Sequence, residues 1–108
     1  MAFYLVRAKP KPDLLNELEK RLKEKAFEGL RPFGMSLSKG LEGARIGADG
    51  IASWEEEDYC SPPLAQERES VLDQYFDELS VVPVKSGEGL RRIEKLPQLF
   101  PDLPTGRE

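Results

Sequence analysis

Histidine is absent from the 108 residues, and cysteine occurs once, at Cys60. The first absence removes Ser-His and Cys-His nucleophile pairs, a histidine base and every imidazole metal ligand. The second removes an internal disulfide and fits a reducing compartment. One cysteine with carboxylates makes a poor structural zinc set, so no metal and no cofactor are expected, although a hard oxygen-ligated cation stays open. Apolar runs are only a few residues long, so no segment is expected to span a bilayer, and no signal-peptide pattern opens the chain. The net charge of −4 offers no broad attraction for nucleic acid or anionic lipid. The expectation is a cytoplasmic protein that binds neither nucleic acid nor membrane.

A chain of this length holds one domain with one modest core. At 39% hydrophobic and 33% charged it is too apolar for disorder. Phe3 to Ala8 reads as a strand stopped by Lys9-Pro10-Lys11-Pro12. From Asp13 the pattern changes to Leu14, Leu15, Leu18, Leu22 and Ala26, an amphipathic helix ending near Gly29. Glu17/Arg21, Glu19/Lys23 and Lys20/Glu24 pairs mark its solvated face. Met35 to Ile46, with its glycines, predicts a bent or bulged second strand. Gly47-Ala48-Asp49-Gly50 signals a turn, and Ile51 to Tyr59 returns as the third strand. Ser61-Pro62 predicts a helix start, followed by Leu64, Val71, Leu72, Tyr75, Phe76 and Leu79 at helical spacing. Val81 to Val84 predicts a last strand, with Pro83 placing it at a sheet edge.

The order strand, helix, strand, strand, helix, strand is the split βαβ arrangement: an α+β, ferredoxin-like four-stranded antiparallel sheet with two helices on one face. The expected division is residues 1–86 for this unit and 87–108 for a short helix and a Pro/Leu-rich docking tail. Strand one offers Phe3 and Leu5 on one side and Tyr4 and Val6 on the other, so both sheet faces should be covered. At about 25 cal/mol per Å², leaving several such side chains wet would forgo several kcal/mol. The second cover is expected from the tail or from another copy of the chain.

Element order, the glycine-rich hairpin and the apolar open face, over residues 3 to about 85, resemble the dimeric α+β barrel superfamily. That resemblance implies a homodimer through the open sheet face. It also implies small-molecule handling between the sheets, by a cofactor-free isomerase- or monooxygenase-like enzyme or by a ligand-binding protein. A non-catalytic interaction or assembly protein is the alternative. Members that rely on a histidine, such as the haem-degrading ones, differ from this chain at that point.

The residues singled out lie around WEEEDYCSPPLAQER, residues 54–68. Strand alternation splits its four consecutive acids into pairs: Glu55, Glu57 and Tyr59 point one way, Trp54, Glu56, Asp58 and Cys60 the other. Surface acids and ion-pair partners are the simplest reading. Arg68, four residues after Leu64 and three before Val71, is expected on the inner stripe in a structural ion pair with Glu56 or Asp58. Arg7, Glu55, Glu57 and Tyr59 are the candidate cavity-lining set on the open face, beside Phe3 and Leu5. Cys60 has no histidine to activate it and reads as a small buried thiol.

Overall fold

The computed structural model describes residues 2–103, an α+β fold built on one four-stranded antiparallel sheet. β1 (Ala2–Pro10) leads through a 3-10 turn (Pro12–Leu14) into α1 (Leu15–Lys23). Next come α2 (Gly34–Glu42), β2 (Arg45–Ile46) and β3 (Ala52–Asp58). The second helical stretch is α3 (Ala65–Glu67), a π-helical segment (Arg68–Leu72) and α4 (Asp73–Tyr75), and β4 (Phe76–Val84) and α5 (Glu88–Ile93) follow. The strand order is β2-β3-β1-β4. Among the described residues no helix is long and apolar enough to cross a membrane.

Pairing fixes which side chains share a face. Val6 lies opposite Trp54 on β3 and Val81 on β4, while Leu5 lies opposite Glu55 and Val82. The inner face, carrying Val6, Ala8 and Trp54, joins Leu18 and Leu22 of α1, Leu37 and Leu41 of α2, and Val71, Leu72 and Tyr75 in one core. Trp54 stacks obliquely on Phe76 with ring centroids 5.1 Å apart. Tyr75 donates its hydroxyl to Glu17 Oε2 at 2.8 Å and accepts from Arg21 at 3.1 Å, which ties α4 to α1 through a bond made where the chain is only part-buried.

Four predicted elements differ. α1 ends at Lys23, six residues before the expected Gly29. The expected strand over 35–46 is α2 followed by a two-residue strand. Its glycines serve close packing: a Cβ on Gly40 would lie 2.8 Å from Trp54 Cδ1 and 3.2 Å from the Glu55 carbonyl oxygen. α2 therefore seats directly on β3 where a longer β2 was expected. The second helical stretch starts at Ala65, because Leu64 sits in the left-handed region at φ 63° and its amide donates to Asp58 Oδ2 at 2.7 Å. β4 begins at Phe76, five residues before the expected Val81, since Phe76 pairs with Pro10. The Gly47–Gly50 turn forms as expected, with the Ile51 amide donating to Asp49 Oδ1 at 2.9 Å, and β4 lies at a sheet edge.

α5 packs against β3 and β1 on the face opposite the main helices, and Leu5 is only 6% exposed there. The chain then passes the β2 edge, where the Ile46 amide donates to Pro97 O and the Leu99 amide to Ala44 O, both at 2.9 Å. Phe100 and Leu103 end in the main core. Residues 104–108 of the expected tail lie outside the described residues.

Candidate functional site

β3 presents a different cluster of side chains on each face. On the inner face Glu56 and Asp58 follow Trp54 into the interior, and Glu67 meets them from the end of α3. All three are buried, Glu67 fully. Trp54 Nε1 donates to Glu56 Oε1 at 2.9 Å. Asp58 Oδ2 accepts from the amides of Cys60 at 3.0 Å and Leu64 at 2.7 Å, so it also shapes the loop into α3. The Cys60 thiol, half-buried at the rim, donates to Glu67 Oε1 at 3.7 Å.

No donor reaches Glu56 Oε2 or Glu67 Oε2. None of the ion pairs among the described residues includes Glu56, Asp58 or Glu67. Three buried carboxyls without a cation cannot all ionise cheaply. Burial pushes Glu56 well above the usual carboxylate range, with the neighbouring Glu67 adding to it. Burial and the contact with Asp58 raise Glu67 to about 7. Burial alone would raise Asp58 too, but hydrogen bonds from Glu67 and from the Leu64, Cys60 and Tyr59 amides outweigh it and hold Asp58 below its ordinary value. Asp58 is thus the ionised end of a chain of carboxyls in contact. Burial, Asp58 and Glu67 together push the Cys60 thiol up, so it is a protonated thiol rather than a ready nucleophile.

On the outer face Glu55 is fully engaged. Its oxygens accept from the amides of Gly87 at 2.9 Å, Gly89 at 2.8 Å and Leu90 at 3.2 Å, capping α5 from the strand beneath it. Beside it a hollow of about 290 Å³ opens between α2, β3 and the start of α5, lined by Phe3, Ser36, Lys39, Glu57, Ser86 and Leu90. Lys39 supplies its one cation. Glu57 Oε2 accepts from the Tyr59 hydroxyl at 3.0 Å, and that hydrogen bond first, then slight desolvation, raises the Tyr59 pKa. Two larger depressions, about 770 Å³ near residues 9–14 and about 560 Å³ near residues 28–35, lie away from both faces of β3.

The structure therefore brings Glu55 and Glu57 together at the hollow and leaves Arg7 and Tyr59 outside its lining. Arg7 lies opposite Ser53 and pairs with Asp49 at 3.5 Å, with both side chains more than half exposed. Tyr59, just past the end of β3, is 67% exposed and its hydroxyl donates to Glu57. The expected ion pair of Arg68 with Glu56 or Asp58 does not form. Arg68 is exposed and lies 3.5 Å from Asp73. The cause is the count from Leu64, which is outside the helix: the inward stripe runs Glu67, Val71, Leu72, Tyr75. Counting back four from Val71 identifies Glu67. Ser36 and Lys39 were hidden because their segment read as a strand.

Comparison with family models, with curated proteins and with solved structures found no match.

Proposed function

We propose that the chain is a ferredoxin-like protein of the dimeric α+β barrel type that handles a small aromatic or oxygenated molecule in the outer-face hollow. The order β2-β3-β1-β4, with β1 between β3 and β4, supports the ferredoxin-like reading. The two-residue β2 and the extra helix α2 are its departures from that plan. The observation that carries the functional reading is the company kept in the hollow: apolar Phe3 and Leu90 beside the Lys39 ammonium, the Ser36 and Ser86 hydroxyls and the Glu57 carboxylate. An apolar wall with a few placed polar groups is what orients a small ligand. Lys39 suits a carboxylate or phenolate, and Glu57 accepts from a hydroxyl or amine.

A thermal-shift screen of aromatic acids, phenols and hydroxy acids tests this. Compounds that raise the melting temperature should lose their effect in Lys39→Ala and Leu90→Ser. A screen without hits, or hits indifferent to both variants, contradicts the reading and favours a protein-interaction role.

The homodimer belongs to the same proposal. α5 covers the centre of the outer face but leaves Val82 43% and Leu90 51% exposed on that side. Light scattering at micromolar concentration should give twice the chain mass. A monomer would leave α5 as the sole cover.

A further inference from the structure

The inner-face cluster stands apart from the hollow and asks for a different occupant. Cys60 Sγ, one Asp58 oxygen and one Glu67 oxygen all lie within 4.8 Å of one another. Donor atoms around a tetrahedral ion with bonds of 2.0–2.3 Å sit about 3.3–3.8 Å apart. The Cys60 to Glu67 separation of 3.7 Å is already within that span. Asp58 is fixed by the Leu64 and Cys60 amides, so Glu67 and Cys60 are the side chains that would close the remaining span.

A cluster of acids alone would not argue for an ion, since such groups commonly face solvent. Here Glu56 is 2% exposed and Glu67 fully buried, and each keeps one oxygen that no donor outside the carboxyl cluster itself reaches. Buried polar atoms are normally paired, and the exceptions call for a reason. The expected absence of a metal rested on one cysteine with carboxylates making a poor closed structural zinc set; Glu67 brings a further buried carboxyl beside Asp58 and Cys60, enough for a site that keeps one position open.

We propose that Asp58, Cys60 and Glu67 bind one divalent transition-metal ion of borderline softness, with Zn²⁺ as the representative, and that Glu56 braces Glu67 from behind. One sulfur among carboxylate oxygens disfavours Ca²⁺ and Mg²⁺, which take oxygen donors only, and suits Zn²⁺, Fe²⁺ or Co²⁺. Cys60, half-buried at the rim, is the entry point. The thiol proton and any carboxyl proton leave to solvent as the ion enters. Three protein donors leave a fourth position for water.

The test uses the untagged chain, stripped with chelator and titrated with Co²⁺ and then Zn²⁺. One equivalent of Co²⁺ should produce a thiolate-to-cobalt charge-transfer band in the near ultraviolet, and Zn²⁺ should abolish it. Cys60→Ser should lose the band. Glu67→Gln should bind at least about 10-fold more weakly, while Glu69→Gln, on the exposed side of the same helical stretch, should match the parent. Circular dichroism confirms that each variant is folded. Alkylation of Cys60 in the unaltered chain gives a readout that needs no variant, and Zn²⁺ should slow it at least about 10-fold. A parent chain that shows no band, alkylation that Zn²⁺ leaves unchanged, or folded Glu67→Gln that binds like the parent overturns the proposal.

Discussion

Glu55 in β3 accepts a hydrogen bond from the Gly89 amide at 2.8 Å, so a strand carboxylate caps a helix 34 residues further along the chain. A Cβ at Gly89 would lie 3.0 Å from Glu55 Oε1, so a side chain there would require the carboxylate to give way by a few tenths of an ångström. α5 is thereby held over Leu5, and the outer face gains a cover from its own chain. Glu55→Ala removes three amide partners and should cost about 1–2 kcal/mol, the usual range for a lost cap. Hydrogen exchange at Gly89 and Leu90 should accelerate with it. Unchanged stability and protection would show that α5 holds by apolar contact alone.

Arg68→Leu should change stability by no more than about 0.5 kcal/mol, because its pairing with Asp73 is exposed on both sides. Urea denaturation measures this. A loss near 3 kcal/mol would mean that Arg68, rather than Glu67, reaches the buried acids.

Gly40→Ala should destabilise by about 1–3 kcal/mol, since its methyl group must displace the Trp54 ring or the β3 backbone. Trp54 fluorescence reports the shift directly. An unchanged spectrum and melting temperature would contradict the close seating of α2 on β3.

The metal-free chain should lose stability as pH rises from 4.5 to about 7. Glu67 has an ordinary value of 4.5 and a folded value of about 7, so its contribution is complete below 4.5 and gone above the folded value. Glu56, also raised, acts in the same direction. Asp58 acts oppositely: its folded value lies below the ordinary 3.8, so its contribution is lost only as pH falls through that folded value. The groups facing Glu67 are Glu56 and Asp58 from β3 and Cys60 from the following loop, none of them a cation. Urea melts across the range should show the decline, and Glu67→Gln should flatten it. A rising trend, or the same slope in the variant, would contradict the buried acid chain.

Much of the sheet was legible in the sequence because alternation is a local signal. The apolar pairs of β1 and the Asp49-Gly50 turn needed no tertiary information. The split of Glu55 and Glu57 from Glu56 and Asp58 follows from the same period. What was hidden depended on contacts between distant segments. Gly34, Gly40 and Gly43 read as bends in a strand, yet Gly40 is what lets α2 lie against Trp54. Leu64 looked like the first residue of the helical stripe, but Asp58 holds its amide in a left-handed turn and shifts the stripe onto Glu67. Glu55 read as a cavity-lining acid, and no local pattern announces that three amides of a later segment will occupy it.

The proposed small-molecule site is the hollow lined by Phe3, Lys39, Glu57 and Leu90. Amide chemical-shift mapping of ¹⁵N-labelled protein with mixtures of aromatic acids, phenols and hydroxy acids tests it most directly. Saturable shifts clustered on Ser36, Lys39, Ser86 and Leu90, absent in Lys39→Ala, are the expected result. Shifts confined to other surfaces, or none at millimolar ligand, would contradict it.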